Sequence, residues 1–501
     1  MRTKTRPWLI LIVLCLVTMV LQIDTMALTV AIPDLSRDLG ASAGQIQWIN
    51  VSYILVFAGL LLTAGSFSDR FGRKRSLITG LVIFGLASSW AMSAGDPTQL
   101  IFARVLMGIG ATIVLPSTMS IPIVVFDDSN RRKALSIWSS VGMIGLIGGP
   151  VLAGVLVEHF SWRAVFVINI PIVLLSVIAA LILMPESKAP ARPLDPVGLV
   201  LSVIGIVTLV WSIIAIPDGG LTRPSTTISM IIAVATLITF VIWETRSKHP
   251  MVPLALFRDH NFSGGSLSIT VVQFANGGLL LVMTQYLQFV LGYTPLQSGL
   301  ALIPLAIGVM LSASFGSTVG AKIGNRPLIG VGMALEAGSM ILLGTASPSS
   351  GLALVIAALG ILGLGGGLAQ PAATNALMST IPHEHAGVGS ALNDTVQQTG
   401  SSMGIVVLGS VSVAGYLAAM PAWAPAGALR SIGDALTIAT RTTQPALADA
   451  AKAAFTDGMS VAFLIGGCVV LAGAVISVLL IRDSRSTADD EEASSEEVPV
   501  G

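Results

Sequence analysis

The sequence predicts an all-α, polytopic membrane protein with fourteen transmembrane helices in a six-plus-two-plus-six order. Three observations carry this. Of 501 residues, 53% are apolar and only 10% charged, where soluble proteins average about 25% charged, and mean hydropathy is +0.86. Apolar runs long enough to cross a bilayer recur from end to end. Lysine and arginine are confined to alternate loops, nineteen on the N-terminal side against six on the other (Arg37, Arg163, Arg223, Arg430, Arg441 and Lys452), with Arg104 left inside a span. By the positive-inside rule both termini are cytoplasmic. Backbone groups in hydrocarbon must bond within their own segment, so the spans are helices; a β-barrel would show shorter, alternating segments.

The predicted spans are 8–32, 46–66, 77–95, 99–125, 134–157, 163–184, 197–216, 227–244, 263–290, 297–319, 328–346, 352–378, 389–415 and 459–481. The first follows Arg2, Lys4 and Arg6 as a secretory signal would, but it is too long for a signal core and lacks a small-residue cleavage site. Spans 2 and 3 are joined by GSFSDRFGRKRSL (65–77), in which Gly65 and Gly72 permit tight turns and Asp69 can cap a helix. Span 4 carries RVLMGIGAT (104–112), whose buried arginine keeps its charge and needs a partner. Span 5 carries GLIGGPVLAG (145–154), a small-residue face for close helix packing with a kink at Pro150. Span 6 opens on WRAVFVINIP (162–171).

An internal repeat organises the rest. At an offset of 255, Gly108, Gly110, Pro116, Gly145, Gly149 and Gly154 fall on Gly363, Gly365, Pro371, Gly400, Gly404 and Gly409. Spans 1–6 therefore resemble spans 9–14, and spans 7 and 8 are an insertion. Two related halves around a midplane site is a transporter architecture. The predicted units are a first half (1–187), a Pro-rich linker with the two inserted helices (188–250), a second half (251–484) and an acidic, disordered cytoplasmic tail (485–501). Residues 416–458 read as a long external loop, and Cys15 and Cys468 lie in apolar runs and imply no disulfide.

These motifs carry a resemblance. The chain resembles the fourteen-span drug:proton antiporters (multidrug efflux transporters) of the major facilitator superfamily. The loop between spans 2 and 3 matches at Gly65, Asp69, Arg70, Gly72, Arg73 and Lys74; span 4 matches at Arg104, Gly108 and Gly110; the antiporter motif matches at Gly145, Gly149, Pro150 and Gly154. Trp162, Arg163, Phe166, Asn169 and Pro171, and IDTMALTVAIP around Asp24, look typical of the fourteen-span branch. Met107 stands where the family often has glutamine, and Gln397-Gln398 where it often has Arg-Gln, so no anion-binding role is carried over.

Four ionisable side chains lie within spans: Asp24, Arg104, Glu336 and Asp394. At 1.5 Å per residue, Asp24 is roughly 12–15 Å and Arg104 roughly 8 Å below the external ends of their spans. In the resembled fold both helices line the central cavity, so a contact is expected. A carboxylate poised between burial and a fixed cation can serve proton and cationic substrate in turn; a static structural pair is the alternative reading. Asp394 sits on a polar stripe with Asn393, Gln397, Gln398 and Ser401. Glu336 falls on a helix that the resemblance makes peripheral, as a second proton site or a packing contact.

Substrate contacts are expected from Gln22, Thr25 and Thr29, from Tyr53 and Phe57, from Gln273, Asn276, Tyr286 and Phe289, from Gln370 and Asn375, and from Asn393, Gln397 and Gln398. Apolar walls with few polar anchors suit a lipophilic ligand. Asp69, Arg70, Gly72 and Arg73, with Asp127 and Asp128 as partners, are the expected conformational latch. His383-Glu384-His385 lacks the further ligands of a metal site, and no phosphate-binding GxxxxGK[ST] loop occurs. The resemblance thus implies a monomer in the inner membrane, driven by the proton gradient without cofactor or metal. It would export lipophilic, often cationic compounds and bind no nucleic acid. A dedicated exporter of one endogenous antibiotic, lipid or peptide is the alternative. A non-transporting receptor or an enzyme fits least, as no clustered catalytic constellation appears.

Overall fold

The computed structural model describes residues 2–187, 195–220, 222–248, 250–252, 254–381 and 386–482, so the acidic tail and the His383-Glu384-His385 triplet lie outside the described residues. The first six spans are α1 (Arg2–Leu39), α2 (Ala43–Phe71), α3 (Arg73–Met92), α4 (Pro97–Val125), α5 (Asp128–His159), and the short α6 (Ala164–Val167) continued by α7 (Asn169–Leu183). The insertion is α8 (Pro196–Gly219) and α9 (Pro224–Arg246). The last six are α10 (His260–Gln285) ending in a π-helical turn at Tyr286–Val290, α11 (Pro295–Ala301) with α12 (Ile303–Ile323), α13 (Asn325–Leu343), α14 (Leu352–Met378), α15 (Ala386–Ala419) and α17 (Pro445–Leu480), with α16 (Ile432–Arg441) before it. Thirteen spans among the described residues are long and apolar enough to cross a membrane. The 32-residue α5 is the fourteenth.

Polar caps set the boundaries. Asp96 accepts from the amides of Thr98 and Gln99 to start α4, Asp127 from that of Asn130 to start α5, and Asp195 from that of Gly198 to start α8. Ser42 with Gln45 and Thr294 with Gln297 form capping boxes.

Among the described residues two large buried cores result, with a small third cluster of Leu11, Cys15, Phe126 and Ala134. One is built by α1–α7 with Val210 and Ile214 of α8; the other runs through α10–α17. Leu281, Ile405 and Val406 of the second half join the first core, so the halves share packing across their seam. The repeated glycines explain the matching packing. Gly108 sits on Tyr53 and Val56 of α2, and Gly363 on Leu305 and Gly308 of α12. Gly110 meets Gly80 and Phe84 of α3; Gly365 meets Gly332 and Glu336 of α13. Gly145 and Gly149 lie on Met19 and Ile23 of α1; Gly400 and Gly404 on Thr270 and Phe274 of α10. Gly154 and Gly409 cross the seam, to Leu296 of α11 and Gln47 of α2.

Several of the hydrogen bonds that join the halves lie on the side away from the N-terminus, called here the far side; on the near side Thr63 Oγ1 donates to Met251 Sδ at 3.7 Å. On the far side Ser410 Oγ donates to Gln47 Oε1 (3.2 Å), Gln288 Nε2 to the Val30 carbonyl (2.9 Å) and the Leu296 amide to Glu158 Oε2 (3.2 Å). The expected loop at 416–458 is mostly helical, a correction to the sequence reading: α15 runs on to Ala419, α16 occupies Ile432–Arg441 and α17 already starts at Pro445. Its alanines hid an amphipathic pattern, with Ile432, Ala435 and Ala439 buried. Arg430 beside it donates to the Gly40 carbonyl (2.9 Å) and accepts from the Ala43 amide (3.2 Å), tying this cap to the α1–α2 turn. The inserted α8 packs against α2 and α15, one helix from each half. α9 packs on α8 and turns Ile228, Ile231, Val234, Ile238 and Val241 outward.

Candidate functional site

The deepest charges form one closed unit. Arg104 donates from one terminal nitrogen to Asp24 Oδ2 at 2.6 Å, and Asn169 Nδ2 donates to Asp24 Oδ1 at 2.9 Å. Asn169 also reaches Ser88 Oγ at 3.3 Å. The guanidinium lies over the Tyr53 ring, 4.3 Å from its centroid. Asp24, Arg104, Asn169 and Ser88 are each at most 1% exposed. Four helices thus converge: α1, α4 and α7, with α3 behind. Both oxygens of Asp24 are occupied and turned into the first half's bundle, away from the seam between the halves. The expected contact is present. The expected cavity-wall placement is not, and Asn169 is the partner that sequence reasoning named only as part of a motif. The same motif docks span 6 on span 1: Trp162 Nε1 and Arg163 donate to Asp38 Oδ2 at 2.8 and 2.6 Å.

The second half has carboxylates without such pairing. Glu336, fully buried on α13, has neither carboxylate oxygen hydrogen-bonded. Asn276 is its polar neighbour across the helix interface, donating one of its two Nδ2 hydrogens to the Val272 carbonyl at 2.9 Å. Asp394 is partly exposed on α15 and accepts from Asn393 Nδ2 at 3.2 Å. No cation pairs with either among the described residues. Around Asp394 the polar stripe is assembled as a patch. Thr374 Oγ1 donates to Asn393 Oδ1 (3.3 Å), and Gln273 Nε2 to Gln397 Oε1 (2.9 Å). Gln398 and Asn375 keep accessible surface, while Gln370 has a buried, unbonded Oε1.

Other expected contacts are spread more widely. Gln22 and Thr25 remain half-buried on α1, Thr25 bonding back to the Leu21 carbonyl. Thr29 is buried. Tyr53 and Phe57 are buried and stacked at 6.2 Å inside the first half, behind Arg104, which corrects their expected role as ligand contacts. Tyr286 is also corrected: it is fully buried, its hydroxyl donating to the Ser347 carbonyl at 2.7 Å. Phe289 is buried on the far side beneath Arg37, 4.9 Å from the ring centroid.

At the turn between α2 and α3, Gly72 has φ +110°, which favours glycine, and any Cβ there would strike the Glu186 carboxylate. Glu186 is one carboxylate that holds this turn among the described residues: it accepts from the Lys74 amide at 3.2 Å and lies 3.6 Å from Arg75 Nε. The Arg73 amide donates to the Ser187 carbonyl at 2.9 Å. Arg70 is exposed, near the Phe71 ring. Asp127 accepts from Asn130 Nδ2 at the start of α5. The side chains of Asp69 and Asp128 lie outside the described residues. Glu186 was missed because it follows span 6 in sequence and only the fold returns it to the turn.

A family model described as Major Facilitator Superfamily matches residues 14–405. The chain is 31% identical to the tetracenomycin C resistance and export protein of Streptomyces glaucescens, over 99% of this chain and 95% of that protein. It is 32% identical to the multidrug efflux pump LfrA of Mycolicibacterium smegmatis, over 96% and 97% respectively. Among solved structures, a bacterial homologue of the human lysosomal transporter Spinster, inward-facing and unoccupied, superposes with a TM-score of 0.69 at 17% identity, covering 96% of this chain and all of the other.

Proposed function

The chain belongs to the major facilitator superfamily, and from that premise we propose that it is a proton-coupled antiporter. Its cargo is lipophilic, often cationic small molecules, exported across the cytoplasmic membrane by alternating access of the two halves. It works without cofactor or catalytic chemistry, and both termini face the cytoplasm, as the nineteen-to-six cation asymmetry supports.

One observation carries the coupling: the second half holds two carboxylates that no cation compensates among the described residues, Glu336 and Asp394. Glu336 is fully buried, and ionising it without a partner would cost several kcal/mol, so it holds a proton until a cation or water reaches it; Asp394, partly exposed, is the one open to exchange. Asp394, on the patch with Asn393, Gln273 and Gln397, exchanges its proton for a cationic substrate as the cytoplasmic side opens and closes. Asp24–Arg104–Asn169 is the fixed pair that sets helix positions in the first half. Relatives whose names describe multidrug efflux and export of a single antibiotic support export of lipophilic compounds. The antibiotic exporter favours a second reading, a pump dedicated to one metabolite.

The test is reconstitution into inside-out proteoliposomes with an imposed pH gradient and tetraphenylphosphonium as the probe. Uptake should require the gradient and release protons to the medium. Uptake unchanged by a protonophore overturns the proton coupling.

A further inference from the structure

The beginning of α1 leaves an apolar groove against α5. It has a volume of about 340 Å³ and is walled by Trp8, Leu11, Ile12 and Leu16 on one side and by Ile137 and Val141 on the other. Leu11 forms its floor at 2% exposure, while Ile12 on its rim is 56% exposed. Trp8 is fixed at the mouth by edge-to-face packing on Phe126, with centroids 5.0 Å apart, and Lys133 Nζ sits 5.7 Å from the Trp8 ring. From Trp8 to Leu16 the groove follows α1 for roughly 12 Å at 1.5 Å per residue, into the leaflet on the side of the N-terminus.

This is not the substrate path described above. At 3.6 residues per turn, Ile12 and Leu16 on the open side of the groove lie roughly 130° around α1 from the stripe of Gln22, Thr25 and Thr29, while Leu11 on its floor shares the side of Thr29. Among the described residues the walls also carry no polar side chain to orient a small-molecule ligand apart from the indole at the mouth and the Cys15 thiol. What the groove has is charge at one end. Lys133 is the cation placed there among the described side chains, one turn and a half after Asp127 at the start of α5; the side chains of Arg2, Lys4, Arg6, Arg131 and Arg132, which the sequence puts at the same helix ends, lie outside the described residues. A basic mouth between membrane helices with an interfacial tryptophan is the arrangement that recognises anionic headgroups.

We propose that this groove binds one acyl chain of an anionic phospholipid of the cytoplasmic leaflet, with its headgroup at the level of Trp8 and Lys133. The orientation is the one proposed above. The site itself does not depend on which compound is exported or on whether protons drive it. Because α1 carries Asp24 and α5 carries the glycine face packed on it, the bound lipid braces the two helices where they diverge.

The full chain in phosphatidylcholine nanodiscs, doped with chain-spin-labelled phosphatidylglycerol or phosphatidylcholine, tests this by electron spin resonance. The immobilised lipid pool should prefer phosphatidylglycerol by about fivefold, the effect of one cation near the surface. Lys133→Glu should remove about that factor and Lys133→Arg should keep it. Val141→Trp, which fills the groove, should lower the immobilised pool for both headgroups while elution on gel filtration stays unchanged. Equal immobilisation of the two lipids in the parent protein, or no response to Lys133→Glu and Val141→Trp, overturns the proposal. So does displacement of the labelled lipid by tetraphenylphosphonium, which would make the groove part of the substrate path.

Discussion

The two halves use one helix framework and opposite electrostatics. Gly110 and Gly365 occupy equivalent places on α4 and α14, and each packs against the third helix of its half. In the first half that helix presents Phe84; in the second it presents Glu336. The first half closes its buried carboxylate Asp24 with Arg104 and Asn169. The second leaves Glu336 with no hydrogen bond to either oxygen. Close backbone approach through glycine is indifferent to which side chains line it, so a duplicated scaffold can fix charge on one side and leave it exchangeable on the other.

The largest effect that would break this contrast is loss of the fixed cation. Arg104→Leu leaves Asp24 buried and unpaired and should cost about 3–5 kcal/mol, read as a large fall in melting temperature in detergent. Asp24→Asn combined with Arg104→Leu should recover most of it. If Asp24→Asn alone melts like the parent yet transports nothing, Asp24 is an exchangeable site and the two halves are alike.

Next come the glycines that make the halves equivalent. Gly110→Ala would press a methyl group onto Phe84 and Gly80, and Gly365→Ala onto Gly332 and Glu336. Each should cost about 1–3 kcal/mol, and similar losses by thermal melting would sharpen the equivalence of the packing. A harmless alanine at either position would show that the close approach is not needed there.

Glu336→Gln should change stability by about 1 kcal/mol or less, since a neutral acid is replaced by an amide of the same shape. Gradient-driven uptake should nonetheless fall at least tenfold. Unimpaired uptake would return Glu336 to a packing role. The smallest expected effect is at the α2–α3 turn, where Arg75 is 75% exposed beside Glu186. Arg75→Ala should cost below about 1 kcal/mol in unfolding experiments, in contrast to Arg104→Leu.

Much of this was legible before any fold was known. The spans, their alternation and the two halves follow from hydropathy, charge asymmetry and glycine spacing, which are local properties of the chain. Pairing of Asp24 with Arg104 is expected from depth together with the resembled fold, because helix rise converts sequence position into depth and the resemblance sets the two helices side by side. Depth says nothing of rotation. Tyr53, Tyr286 and Phe289 were expected at a ligand and are buried in packing. Glu186 was overlooked because its partners at Lys74 and Arg75 are more than a hundred residues away. The helical cap at Ile432–Arg441 was read as loop because alanine marks its buried face weakly.

Class, the number and order of the spans, the repeat and the family resemblance are thus written along the chain. Which way each polar residue faces is a property of the packed helices. Rotation of a helix about its axis is fixed by side chains on neighbouring helices. Asp24 turns inward because Arg104, Asn169 and the glycine face of α5 position α1. That same packing leaves Glu336 buried with no cation beside it among the described residues.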